Sequence, residues 1–215
     1  FNCDRVVDKM QGVYIPFWLY SGNCEGSITA EGINTRTWTS GNYRYTEKKY
    51  YSVYRNGTLD FKAVPVDASS KTDDDAMDSI EPFDYSEMTA FNPGYLSGYL
   101  AERYDEGKDK CLPRAKERIE NTTRDELRNT CNYNSVNVQS YEKHTEIKDV
   151  KYAMLPTWLL YTTYQDKPYF FAMNGQTGKF IGNLPISKGK LVAYSLLGGV
   201  GGYIIGAILQ IMGIF

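Results

Sequence analysis

The sequence predicts an α+β protein in which two related antiparallel β-rich modules flank a helical middle segment, followed by a C-terminal transmembrane helix. Three observations carry this reading. From Leu191 to Phe215 no side chain is charged, and at about 1.5 Å per residue the run reaches about 37 Å, longer than the roughly 30 Å of a hydrocarbon core. Two segments share an apolar-Pro-x-Trp-Leu pattern: Tyr14-Ile15-Pro16-Phe17-Trp18-Leu19-Tyr20 and Met154-Leu155-Pro156-Thr157-Trp158-Leu159-Leu160. Between them the composition shifts to acidic and helix-forming residues. The expected boundaries are 1–66 for the first module, 67–130 for the middle segment, 131–187 for the second module and 191–215 for the transmembrane helix.

In each Pro-Trp copy the proline lacks a ladder donor, which places it at the start or edge of a strand, while the tryptophan supplies a large apolar surface. Strand-like runs follow from Ser27 to Ile33 and from Tyr43 to Tyr54. Asn56-Gly57 then predicts a hairpin turn into Leu59–Val66, because both residues tolerate positive φ.

Asp73-Asp74-Asp75 ahead of Ala76-Met77 suits a helix start, with acids at the positive end of the dipole. Its calcium-loop reading fails, since Met77 occupies the place of a third oxygen ligand and no turn glycine follows. From Pro93 to Tyr104, Leu96, Tyr99, Leu100 and Tyr104 recur at helical spacing. A second, polar helix over Arg114–Asn129 has a narrow apolar stripe of Ala115, Ile119 and Leu127. The second module runs through His144–Tyr164, a turn at Gln165–Pro168, Tyr169–Met173 and Lys179–Gly182.

Charge and cysteine content narrow the function. The net charge of −2 argues against a nucleic-acid partner, which needs a clustered positive face. Cys3, Cys24, Cys111 and Cys131 form no close pair, so no zinc site is supported within these residues, and their pairing is left open. The chain starts at Phe1 with no apolar leader, which reads as a fragment of something longer. Lys179, Lys188 and Lys190 before the apolar run favour a cytoplasmic domain.

His144, the single histidine, sits among exposed-strand residues. The acids Glu81, Asp84 and Glu87 could supply paired carboxylates for a hydrolase, against which stands their use as caps. Gly198, Gly202 and Gly206 fall on one helix face, where small residues let membrane helices approach and self-associate. Trp18, Trp158, Tyr95 and Tyr99 are the candidate binding aromatics.

Two resemblances add to this. Phe170–Gly182, with its Asn-Gly-Gln-Thr-Gly-Lys turn, resembles the closing hairpin of PepSY-like domains. The blocks Gly12–Tyr20, Glu81–Asp105, Pro156–Leu160 and Asn174–Lys179 together resemble a bacterial family of zinc-ribbon membrane proteins. That resemblance implies zinc only in an N-terminal ribbon outside this sequence, so no cofactor is expected here. It also implies membrane-associated partners of the flotillin-like or phage-shock-like kind, and it transfers no catalytic residue. The reading that follows is a membrane-anchored interaction or scaffold protein, with a carboxylate-using hydrolase or a small-ligand or peptide sensor as alternatives.

Overall fold

The computed structural model describes residues 10–164, 167–182 and 188–211. Alternating apolar and polar residues do not break up into short strands here. They run on into three very long ones: β1 (Gln11–Ser40), β2 (Tyr43–Asp67) and β4 (Ser135–Tyr164). At about 3.3 Å per residue, β1 is about 100 Å long.

β1 is central and antiparallel to both neighbours. Two short strands, β5 (Lys167–Asn174) and β6 (Phe180–Gly182), extend the sheet to the order β2-β1-β4-β5-β6. β3 (Leu100–Ala101) pairs in parallel with Val13 and Tyr14 of β1, beyond the point where β2 ends. Bulges interrupt both long ladders at the same level of β1, at Tyr20/Gly22 toward β2 and at Ser21/Gly22 toward β4.

The two Pro-Trp segments lie side by side, antiparallel, along the β1–β4 ladder. Ile15 pairs with Leu155, Pro16 with Met154 and Tyr14 with Pro156, so a local two-fold relates the copies. Both prolines lie inside their strands but at edge positions, Pro16 one residue beyond the last β1–β2 pair and Pro156 one residue before the first β4–β5 pair. Their placement is permitted, because Pro16 O accepts from Ala68 N at 2.9 Å and Pro156 O accepts from Gly175 N at 2.8 Å. Each proline therefore turns its backbone away from the shared ladder, and its missing donor costs that ladder nothing.

One face of the sheet's base buries Val13, Ile15, Phe17, Leu19, Leu155 and Leu159 under Met77, Ile80 and Phe83. Met77 belongs to α1 (Asp74–Ser79), whose N-cap Asp73 accepts from Ala76 N at 2.9 Å, as the acidic run predicts. The opposite face carries α2 (Lys108–Asn129), whose buried stripe is Cys111, Ala115, Ile119, Thr123 and Leu127. This helix begins upstream of the expected Arg114 and passes through Pro113.

Asn56 and Gly57 are not a turn. They lie within β2 opposite Ser27 and Gly26, where a Cβ on Gly26 would stand 2.9 Å from Thr123 and 3.1 Å from Leu127 of α2. Gly26 thus serves the close passage of a helix. The true hairpin turn is Gly41-Asn42, with Gly41 at φ +59°. Beyond the Ile33–Ser135 pair β1 has β2 as its partner and nothing else among the described strands, so the distal hairpin projects as a two-stranded arm, exposed from Thr35 through Ser52.

The expected transmembrane helix is corrected. α3 spans Lys188–Ile211, but among the described residues no helix is long and apolar enough to cross a membrane. Glycines add length without apolar surface, and Lys188, Lys190, Ser195 and two tyrosines dilute the run. The C-terminal span, the α+β-plus-membrane-helix class and the membrane location built on it are overturned in favour of a mostly antiparallel sheet. Gly198, Gly202 and Gly206 lie on α3 with open space around each. Residues 212–215 of the expected span, the expected turn residues Gln165 and Asp166, and Cys3 lie outside the described residues.

Candidate functional site: an aromatic groove at an open sheet edge

Residues 81–107 form a belt around the base of the sheet. It starts on the α1 side, where Phe83 packs on Phe17 with ring centroids 5.9 Å apart. It passes the outer side of β4 near Gln176, whose side chain accepts from Asp84 N at 2.9 Å. It then crosses the other face, where Tyr99 wedges between Tyr14 (5.3 Å) and Trp158 (5.7 Å). A Cβ on Gly12 would meet the Tyr99 ring at 2.5 Å, so glycine there makes room for the belt. The segment from Pro93, expected as helix, is instead a 3-10 turn over Pro93–Leu96 leading to β3. The capture of Tyr99 by the sheet aromatics outweighs its helical spacing.

Two clamps hold the belt. Asn174, fully buried, donates to the carbonyls of Ile80 and Pro82 at 3.0 Å each and accepts from Gln176 N at 2.8 Å and Thr177 N at 3.0 Å. All of its amide capacity is used. On the other side Arg114 pairs with Asp67, Asp74 and Asp78, each at 2.7 Å, and Arg118 pairs with Glu81 at 2.7 Å and Asp78 at 3.2 Å. Burial pushes the Asp67 carboxyl up to about 6 against the opposing pull of Arg114, and it raises Glu81 in the same way.

Where the belt rounds β4 it leaves a groove of about 430 Å³, floored by Lys151 to Pro156 and Tyr14 and roofed by Met88, Phe91, Tyr95 and Leu96. Phe91, Tyr95 and Met88 are exposed. The groove runs along an unpaired strand edge. β5 pairs with β4 only from Thr157 onward, and no described strand covers β4 before that. Because Tyr14 and Pro16 direct their carbonyls to Glu102 N and Ala68 N, away from β4, their ladder partners Pro156 and Met154 direct theirs outward. By the two-residue alternation Tyr152 and Val150 do the same.

The sequence-predicted aromatics converge on this face. Tyr95 roofs the groove, and Tyr99 and Trp158 pack just beyond it. Trp18, half-buried, meets Tyr104 at 5.5 Å and Tyr152 at 5.3 Å and donates its indole N–H to Glu106 O at 2.9 Å. Trp158 is likewise half-buried. What sequence reasoning missed is the open edge itself, together with Met154, Phe91 and Asn174.

The carboxylates expected of a hydrolase are already engaged: Glu81 with Arg118, Asp84 as the cap of Ser86, and Glu87 with Gln176 at 3.3 Å. His144 is exposed opposite Glu25. A larger hollow of about 890 Å³ between α1 and β5–β6 holds Lys71, Asp73, Asp75 and Lys167, all exposed, so none is desolvated for chemistry. Cys24, Cys111 and Cys131 are free and buried. Cys111 and Cys131 stand near opposite ends of the 22-residue α2, about 30 Å apart along its axis and far beyond disulfide reach.

The chain is similar to the uncharacterized protein YdjG of Bacillus subtilis (strain 168), with 38% identity over 194 residues, covering 90% of this chain and 57% of that protein. It thus spans little more than half the length of this relative. No family model and no solved structure matches the chain, so the zinc-ribbon and PepSY-like resemblances rest on the quoted motifs alone.

Proposed function

We propose that this protein is an interaction module that captures an extended segment of a partner protein by strand addition to β4. The observation that carries the reading is an unpaired edge running along an aromatic groove. Backbone groups of Val150, Tyr152 and Met154 supply main-chain hydrogen bonds, while Phe91, Tyr95 and Met88 receive every second side chain of the incoming strand. Aromatic and Met anchors of this kind are what interfaces concentrate at their centres. The turn at Asn174–Gly178 closes one end of the track, because β5 occupies the edge from Thr157 on. The fitting ligand is therefore a short extended peptide with apolar residues at alternate positions. Selection from a displayed peptide library tests this. Alternating apolar sequences should be enriched, and Met154→Pro, which removes an outward N–H, should weaken their binding at least about tenfold, as should Phe91→Asp. Binding that is unchanged in both variants sinks the proposal.

A further inference from the structure

The net charge conceals a separation of charge along the molecule. The arm from Thr35 to Tyr51 carries Arg36, Arg44, Lys48 and Lys49 against the single acid Glu47. The base, from Asp67 to Arg118, carries thirteen acids against seven lysines and arginines. The arm also bears residue types that concentrate binding energy. Trp38 stacks on Tyr45 at 5.6 Å and 15°, with the Arg36 guanidinium 5.7 Å above the indole, and Tyr43 and Tyr50 are 71% and 59% exposed. At the base an open hollow of about 500 Å³ is lined by Ser70, Thr72, Asp73, Asp74, Asp75 and Glu106; Asp74 pairs with Arg114 and Glu106 with Lys110, while Asp73 and Asp75 are exposed.

These two surfaces cannot meet within one molecule. From Tyr20, beside the hollow's end of β1, to Trp38 the strand runs about 60 Å. We infer that they meet between molecules: the basic aromatic arm of one copy docks in the acidic hollow of a second copy, giving head-to-tail association. The occupant follows from charge complementarity of the arm with a concave surface of the same chain. Such a contact is heterologous, so each copy keeps one free arm and one free hollow, and association extends past a dimer unless the ring closes. Exposed ion pairs are individually weak and screened by salt. The association is therefore weak, salt-sensitive and centred on Trp38.

Sedimentation velocity of the whole chain across a concentration series provides the test, at about 20 mM and about 300 mM salt, where the screening length drops by more than half. Wild type should associate at low salt and weaken at least about tenfold at high salt. Reversing the arm (Arg36→Glu, Arg44→Glu, Lys48→Glu) should abolish association, as should reversing the hollow (Asp75→Lys, Glu106→Lys). A chain carrying both sets should associate again, and an equimolar mixture of the two reversed chains should co-sediment. Circular dichroism establishes that each variant is folded. A wild type that stays monomeric at low salt overturns the inference, as does association that survives arm reversal. A folded double-set chain that fails to reassociate overturns it equally. Binding of a single-stranded oligonucleotide by a monomeric wild type would assign the arm to nucleic acid instead.

Discussion

The base and the arm are built from the same two strands, yet only one of them is packed. Around Phe17 the β1–β2 pair has β4 on its other side, α1 and the belt on its faces, and side chains with no solvent contact. Around Trp38 the same pair has no third strand and no covering layer among the described residues. The difference shows that strand pairing in this molecule outlasts burial. β-Branched and aromatic residues at Thr35, Thr37, Trp38, Thr39, Tyr43 and Tyr45 sustain a ladder through cross-strand pairs where a hydrophobic core no longer does. Stability should accordingly be concentrated at the base and surface recognition at the arm.

The sharpest break of this contrast is at Phe17. Replacing it by Ala should cost about 3–5 kcal/mol, measured by urea denaturation, since the ring is fully buried against Phe83. A loss below about 1 kcal/mol would mean the base is not the core. Next comes Asn174→Ala, which leaves the carbonyls of Ile80 and Pro82 and two turn N–H groups without their partner. About 1–3 kcal/mol is expected, with faster amide exchange in residues 80–87 as the signature of a loosened belt.

A smaller effect concerns pH. The folded-state pKa of Asp67 is raised to about 6 from 3.8, so the native state holds this proton more tightly than the unfolded chain does. Its contribution to stability is then full below about pH 4 and is lost as pH rises toward 6. Comparing denaturation of wild type and Asp67→Asn from pH 4 to 7 should show a steeper fall in wild type over that window. Parallel curves would mean that Arg114 holds the carboxylate charged throughout. Smallest of all, Trp38→Ala should change stability by less than about 0.5 kcal/mol, although the same substitution should weaken self-association. A large stability loss would show that the arm is a folded part of the core.

Local signals were legible in the sequence and non-local ones were not. Asp73 as an N-cap and the Ala115–Ile119–Leu127 stripe could be read because a helix needs only its own periodicity. Asn56-Gly57 misled because glycine serves close approach as well as turning, and the α2 side chains that demand it come from residues far along the chain. Gly41-Asn42, flanked by equally strand-like runs, carries a turn signal of its own. The Pro93–Tyr104 spacing suits a helix in isolation, but Tyr14 and Trp158 decide where Tyr99 goes. The repeated Pro-Trp pattern announced a relation between two segments without revealing that they pair with each other. The groove could not be seen at all, since a free edge is defined by where β5 stops.

The bulges that interrupt both ladders at Gly22 have a mechanical consequence. Sliding β1 along its neighbours would require both defects to move together, so its register is locked from two sides. Tension between the arm tip and the base runs along β1, across hydrogen bonds that lie perpendicular to it. Those bonds share the load and must rupture together, which makes the strand a tie-rod between its two ends.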